Sequence, residues 1–204
     1  EIQEFVVHIS RYFRYIFKKG MEPVTVGKEL EFTETYLRIL ECMNDTEYRY
    51  EVSCDPDVSE TEIPPLIIQT FVENAVKHNL DDAEDCLIRV QVERLFRREA
   101  GAAPGGDEDA GRREAGAEDS PDGQSRDVRE WLKIQVWDNG CGFEEAALER
   151  LRTGDFGTDG SGYHTGIRNA VARMKMIYGE DAYVGFSNPE DGGARVDIFI
   201  PQNE

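Results

Sequence analysis

Two segments of the sequence alternate apolar and polar residues, and this period of two limits the possible folds more than any other feature. They span residues 87–93 and 131–137, and their apolar positions are Ile88, Val90 and Val92 in the first and Leu132, Ile134 and Val136 in the second. Alternation places the apolar side chains on one face of a strand, so each segment predicts a half-buried strand. A segment rich in Tyr and Val predicts a strand at 47–52, and the last strands are expected at 183–187 and 195–200.

Four other segments repeat apolar residues at spacings of three and four, which is the period of an amphipathic helix. The predicted helices cover residues 1–20, 30–43, 64–80 and 166–178. The first two precede the first predicted strand. Helices and strands mixed in this way predict an α+β fold in which the helices cover one face of a sheet.

Residues 97–128 differ in composition from the rest of the chain. Apart from Gln124 and Val128, the segment contains only Gly, Ala, Asp, Glu, Arg, Ser and Pro. Such a segment cannot bury enough apolar surface to offset the entropy lost on ordering. We therefore expect a disordered insertion between two strands, without a catalytic role.

The charge and the cysteines exclude several classes of protein. The 204 residues contain 23 Lys and Arg against 42 Asp and Glu, which gives a net charge of -19. Nucleic acid and anionic membranes are poor partners for such a chain, since both require a concentrated basic surface.

The cysteines lie far apart without a Cys-x-x-Cys pair, at Cys42, Cys54, Cys86 and Cys141. This spacing and the absence of a long apolar segment favour a cytosolic protein.

Polar residues that can bind ligands gather on one side of the predicted helix 64–80. Glu73, Asn74, Lys77 and His78 share that side, opposite an apolar arc. Asn74 could hold Mg²⁺, and Lys77 and His78 could meet phosphate oxygens. The alternative is an ordinary solvated helix face with Glu73 and Lys77 as an i,i+4 ion pair.

Two glycine-containing motifs follow later in the chain. Asp138 ends a predicted strand and precedes Gly140 and Gly142. Glycines leave room for a ligand close to the backbone, so Asp138 could accept a hydrogen bond from an adenine amino group. Alone, this motif is typical of a turn. The glycine-dense loop 154–166 then leads into a helix at Ile167, whose first amides could bind an anion.

These three elements, in this order, resemble the Bergerat ATP-binding fold of the GHKL superfamily, an α/β sandwich whose mixed sheet has helices on one face. The surrounding residues resemble the LytS/YehU-type sensor histidine kinases more closely. Residues 63–69 and 72–78 are similar to that family's N box, and residues 138–143 are similar to its G1 box. The G2 region of the family is similar to residues 164–169 together with Arg173, Met174, Tyr178 and Gly179. Residues 10–15, 24–26, 29–31 and 36–37 are similar to the segment that joins the family's phosphoacceptor hairpin to its catalytic domain.

The resemblance implies a role for each candidate residue. Asn74 would ligate Mg²⁺, Glu73 would polarise the attacking nucleophile, and Asp138 would bind the adenine amino group. Lys77 and His78 would lie near the phosphates, and Gly140 and Gly142 would lie near the base. The remaining nucleotide-binding positions would be at the end of a mobile lid, namely Gly162, Thr165, Gly166 and Ile167. The implied cofactors are ATP and Mg²⁺.

The resemblance also implies an organisation and partners. Residues 1–20 would be the last helix of a dimerisation hairpin, and residues 21–204 would form the catalytic domain. The domain would transfer the ATP γ-phosphoryl to a histidine outside the fragment and then to an Asp of a response regulator. The intact protein would be a homodimeric sensor, anchored upstream in a membrane, with this domain in the cytosol.

The sequence departs from the family pattern in three places. It lacks the Asn-Pro-His-Phe type motif of the phosphoacceptor, and His8 falls where the second hairpin helix is expected. His164 replaces the first glycine of the Gly-x-Gly-Leu pattern, and Ala194 follows Gly193 where Gly-Thr is usual. Two alternatives therefore stay open: a GHKL-type ATPase in which Glu73 activates water, and a non-catalytic module that binds nucleotide or partners.

Two further residue types have alternative interpretations. Cys141 is either a small residue that fills a tight turn, which we favour, or a reactive thiol near nucleotide. Trp131 and Trp137 alternate with the core residues of their strand, so they either contact a helix or form a wall of the nucleotide site, and packing is favoured.

Overall fold

Strands and helices are mixed along the chain in the computed structural model, which describes residues 22–44, 48–79, 86–98, 128–155 and 165–202. In chain order the elements are β1 (Val24–Thr25), α1 (Val26–Asn44), β2 (Tyr48–Cys54), β3 (Glu62–Ile63), α2 (Ile67–Asn79), β4 (Cys86–Arg98), β5 (Val128–Asp138), α3 (Glu145–Thr153), α4 (Thr165–Tyr178), β6 (Tyr183–Ser187) and β7 (Ala194–Gln202). Short 3-10 turns at Pro56–Val58 and Gly179–Asp181 complete them.

A five-stranded mixed sheet has the order β2-β4-β5-β7-β6. The β2 and β4 strands are parallel, and the other neighbouring pairs are antiparallel. The central register aligns Val90, Val136 and Val196 across three strands. The short strands β1 and β3 form a separate antiparallel pair beside the helices. This arrangement confirms the predicted α+β fold with a mixed sheet.

The helices cover the apolar face of the sheet. In β4, β5 and β7, the side chains that point to the same face of the sheet as Val136 are buried. They are Ile88, Val90, Val92, Leu132, Ile134, Val136, Val196, Ile198 and Ile200. The helices contribute Leu37, Ile67, Phe71 and Met174 to the same cluster. Burial of this continuous apolar surface is the main force that holds α1, α2 and α4 on the sheet.

The opposite face of the sheet carries ion pairs and amides. Arg89 pairs with Glu51 at 2.8 Å, and Lys133 pairs with Glu93 at 3.0 Å. Trp137 belongs to this face, and the Arg89 guanidinium lies 5.1 Å from the centre of its ring. Trp137 is thus neither a helix contact nor a wall of a site on the helix-covered face.

The structure corrects several sequence predictions. The strands β4 and β5 extend to Arg98 and from Val128, so both ends of the predicted insertion are paired residues. The helix α1 begins at Val26, four residues before the predicted start, and β1 precedes it. Ile177, predicted on the apolar stripe of α4, is 51% exposed.

Other predictions lie outside the described residues. They are the helix at 1–20, the part of the insertion at 99–127, and most of the predicted lid at 156–164. Among the described helices, none is both long and apolar enough for a membrane span.

Candidate functional site

Helix α2 separates its apolar and polar residues as its sequence predicts. The apolar arc is buried, namely Ile67, Ile68, Phe71, Val72, Ala75 and Val76. Glu73 and Asn74 are half-buried at the margin of this arc, and Lys77 is exposed. His78 belongs to the same helix, and its side chain lies outside the described part of the structure.

A buried amide orients the carboxylate of Glu73. Gln69 lies one helical turn before Glu73 and is almost fully buried. Its Nε2 donates a hydrogen bond to Oε1 of Glu73. Because the amide belongs to a residue buried in the core, it orients the carboxylate at the edge of α2.

Asp138 ends β5 on the helix-covered face of the sheet. It lies two residues after Val136 in the strand, so its side chain points to the same face, and it is only 6% exposed. Its Oδ1 accepts a hydrogen bond from the Gly140 N–H at 3.0 Å, which forms an Asx turn. The sequence therefore places a buried carboxylate where the strand ends and the glycine turn begins.

Two contacts fix the turn that follows Asp138. Asn139 continues the ladder, because its N–H donates to the Leu87 carbonyl at 3.2 Å and its Oδ1 accepts from the Leu87 N–H at 2.8 Å. Asn188 then pairs with the backbone of Phe143: its Oδ1 accepts from the Phe143 N–H and its Nδ2 donates to the Phe143 carbonyl, both at 2.8 Å.

Glycines are required in this turn for two different reasons. Gly142 has a φ of +78°, a region that favours glycine. Gly193, which precedes β7 beside this turn, also has a positive φ of +80°, and it lacks space as well, since a Cβ atom there would lie 1.7 Å from the Asp138 carbonyl oxygen. Sequence reasoning identified Gly142, but it assigned no role to Asn188 and did not foresee the close approach at Gly193. Cys141, expected to fill the turn, is exposed.

The start of α4 lies beside the first turn of α2. A Cβ on Gly166 would come within 3.4 Å of Cγ2 of Thr70. Thr165 and Gly166 are exposed, whereas Ile167 is buried in the core. Gly162 lies outside the described residues. Gly154, which was expected in the glycine-dense loop, instead ends α3 as its cap residue in the left-handed conformation.

The structure brings the three predicted motifs onto neighbouring elements. Helix α2 packs against both β5, which carries Asp138, and α4, which begins at Thr165. A carboxylate at one side and helix N–H groups at the other are suited to a ligand with an amino group and an anionic end.

The donor set suits Mg²⁺. Among the described residues no group of three His, Cys, Asp or Glu could hold a metal. Mg²⁺ takes oxygen ligands, and it is usually bound through one or two carboxylates together with waters and substrate phosphates. The amide oxygen of Asn74 at the edge of α2 could take the place of such a carboxylate oxygen.

Comparisons with known proteins agree with these motifs. Sensor protein LytS of Enterococcus faecalis is 24% identical over 205 residues, which cover 99% of this chain and 29% of that protein. LytS of Bacillus subtilis is 23% identical, with 99% and 29% covered. Sensor histidine kinase YpdA of Escherichia coli is 23% identical, with 98% and 28% covered. The chain thus spans less than a third of the length of these curated relatives.

A solved structure and a family model complete the comparison. The catalytic domain of histidine kinase ThkA, in a nucleotide-free form, has a TM-score of 0.53 and 11% identity, with 90% of this chain and 96% of that chain covered. This likeness shows the fold and confirms the predicted Bergerat architecture. The LytS-type resemblance is confirmed by the curated relatives. Since the model of the histidine kinase-, DNA gyrase B- and HSP90-like ATPase family matches residues 64–204, more than half of the chain, the protein belongs to that family.

Proposed function

We propose that residues 21–204 form the ATP-binding catalytic domain of a sensor histidine kinase, which transfers the γ-phosphoryl of ATP to a histidine outside this domain. The observation that carries the proposal is the buried Asp138 at the end of β5, on the sheet face against which α2 packs with Glu73 and Asn74. Membership of the ATPase family supports it.

The adenine end of the site is Asp138. Its buried carboxylate accepts the hydrogen bond of the adenine amino group, and burial strengthens that bond by excluding competing water. Gly140 and Gly142 leave the turn free of side chains, so the base can lie close to the backbone.

The phosphate end lies between α2 and α4. Asn74 holds Mg²⁺, while Lys77 and His78 bind phosphate oxygens. The first amides of α4, at Thr165, Gly166 and Ile167, add neutral donors at the positive end of a helix, with Gly162 at the end of the lid. Phosphoryl transfer depends mainly on such positioning and charge neutralisation, and bound Mg²⁺ supplies part of that neutralisation.

Glu73 acts on the phosphoacceptor. Its carboxylate, oriented by Gln69, accepts the hydrogen bond of the imidazole N–H, so that the other ring nitrogen attacks the γ-phosphorus. A phosphorus–nitrogen bond forms, the bond to the β-phosphate oxygen breaks, and ADP leaves. The phosphoryl group then passes to an Asp of a response regulator.

The organisation of the whole protein follows from the same proposal. Residues 1–20 form the last helix of a dimerisation hairpin that supplies the phosphoacceptor, and the intact protein is a homodimer. The catalytic domain is cytosolic, as its acidic composition and separated cysteines favour.

Titration with a fluorescent ATP analogue and Mg²⁺ tests the proposal. We expect saturable binding by the wild-type chain, clear weakening by Asp138→Asn and by Asn74→Ala, and no change for Asp57→Asn, a surface acid paired with Arg94. No binding up to millimolar nucleotide would contradict the proposal. Release of inorganic phosphate without phosphorylation of a supplied hairpin would favour the ATPase alternative.

A further inference from the structure

The side chain of Glu29 is fully buried, although it is an acid in the first turn of α1. A buried carboxylate loses its hydration, so it requires hydrogen bonds in compensation. Its Oε1 accepts a hydrogen bond from the Leu66 N–H at 2.7 Å, and its Oε2 accepts one from the Ile68 N–H at 3.3 Å. An acid of α1 thus caps the start of the helix that carries Glu73 and Asn74.

The sequence before α2 contains no cap of its own. Residues 63–66 are Ile, Pro, Pro and Leu, and none of their side chains can accept a hydrogen bond. The first N–H groups of a helix have no partner within the helix, and the positive end of the helix dipole lies there. Glu29, 37 residues before Leu66, supplies both the acceptors and the negative charge.

The bond to Glu29 also holds an unusual backbone conformation. Leu66 has a φ of +63°, in the left-handed region that residues with a Cβ rarely adopt. Such a residue persists only where its surroundings fix it. Here its N–H donates to Glu29 and its carbonyl accepts from the Thr70 N–H at 3.3 Å. The point at which the chain enters α2 is therefore fixed from both sides of Leu66.

The charge of Glu29 also acts on α4. Arg173 is half-buried, and burial lowers the pKa of its guanidinium while the Glu29 carboxylate opposes that shift. At its other end, α4 contacts α2 through Gly166 and Thr70. Glu29 thus interacts with both helices that border the phosphate end of the site.

We propose that Glu29 is a positioning residue of the nucleotide site, because its carboxylate fixes the start of α2 and thereby the placement of Glu73 and Asn74. The path is short, since Gln69 follows the capped Ile68 and donates to Glu73. This role rests on the proposed function, in which α2 binds the metal and the phosphates. Glu29 itself acts only through the helix.

The Glu29→Gln variant tests this role because it keeps the size of the side chain and replaces one acceptor oxygen by a donor. Hydrogen exchange of the Leu66 and Ile68 amides, followed by NMR, should quicken about tenfold as the cap weakens. The Mg²⁺-dependent gain in ATP affinity should fall about tenfold. Affinity for adenosine, which depends on Asp138, should stay unchanged.

Glu31→Gln is the matched control, an exposed acid two residues further along α1, and it should change none of these quantities. Should Glu29→Gln not fold, Glu29→Asp decides in the same way, since it keeps the charge but shortens the reach to Leu66. Its amide exchange and its Mg²⁺-dependent ATP affinity should change in the same direction by a smaller factor.

The outcomes separate the two proposals. A folded Glu29 variant with faster amide exchange and wild-type affinity for Mg-ATP would overturn the positioning role and leave the proposed function intact. An equal loss of adenosine and Mg-ATP affinity would show a merely structural role and overturn it too. If the wild-type chain bound no ATP, the proposed function would fail, and the role of Glu29 with it.

Discussion

Ala194 is the neighbour of Asp138 across the sheet, because the two residues are register partners of β7 and β5. Register partners in antiparallel strands point to the same face, with Cβ atoms about 5 Å apart. The resemblance to LytS-type kinases implies a threonine hydroxyl at this place, and this chain has a methyl group. A hydroxyl at position 194 could donate a hydrogen bond to the Asp138 carboxylate, and the methyl group of Ala194 cannot.

We expect Ala194→Thr to strengthen ATP binding about fivefold, because one hydrogen bond that orients the carboxylate contributes about 1 kcal/mol. The dissociation constant of a fluorescent ATP analogue measures the effect. Ala194→Val is the matched control, since it has the same branched shape without a hydroxyl. The gain should disappear in an Asp138→Asn background. Equal affinities of the Thr and Val variants would contradict the expectation.

At the level of elements, the chain enters β7 through Gly193, which passes so close to Asp138 at the end of β5 that no side chain fits there. Gly193 has a φ of +80°, and its added Cβ would overlap the Asp138 carbonyl at 1.7 Å. We expect Gly193→Ala to lower the free energy of unfolding by about 3 kcal/mol or more, because both overpacking and backbone strain act there. Urea unfolding measures the loss.

Gly192→Ala is the control for Gly193→Ala. Gly192 also has a positive φ, +93°, but a Cβ added there would meet no atom within 4 Å. Its substitution should therefore cost only the conformational term, about 1–2 kcal/mol. If both substitutions destabilised the protein equally, the close approach to Asp138 would not be the cause.

Element prediction depended on how strongly each segment is patterned. Helix α2 has six buried apolar residues at regular spacings, so its period identified both its apolar arc and the polar side with Glu73 and Asn74. Helix α3 was not predicted, because only Leu148 and Leu151 are buried among charged residues. Gly154 directly after it is a helix-end signal that could have indicated it.

At the scale of the whole molecule, the sequence could not reveal contacts between distant residues. The capping of α2 by Glu29 joins residues 37 positions apart, and the pairing of Asn188 with Phe143 joins residues 45 apart. A polar residue has the same appearance in a sequence whether it faces solvent or a distant backbone amide. The motifs for Asp138 and α2 were predictable because each combines local pattern with residue type.

The sequence predicts a disordered insertion at 97–128, and we expect that removal of its part outside the described strands, residues 99–127, leaves the fold and nucleotide binding intact. The flanking residues Arg98 and Val128 are register partners of the antiparallel strands β4 and β5. A two-residue Asn-Gly turn can therefore replace the segment without a change of register. Since each halving of a flexible loop removes about 0.6 kcal/mol of closure cost, the shortened chain should gain about 2 kcal/mol of stability.

Urea unfolding and nucleotide titration of this deletion variant provide the measurement, and ATP affinity should stay at the wild-type value because β5 still ends at Asp138. A variant in which a Gly-Ser linker of equal length replaces 99–127 is the control for loop length, and its stability should match the wild-type chain. Loss of stability or affinity in both variants would show that the segment packs on the domain. In that case its low apolar content would have been a misleading guide, and its charged residues would be the next to examine.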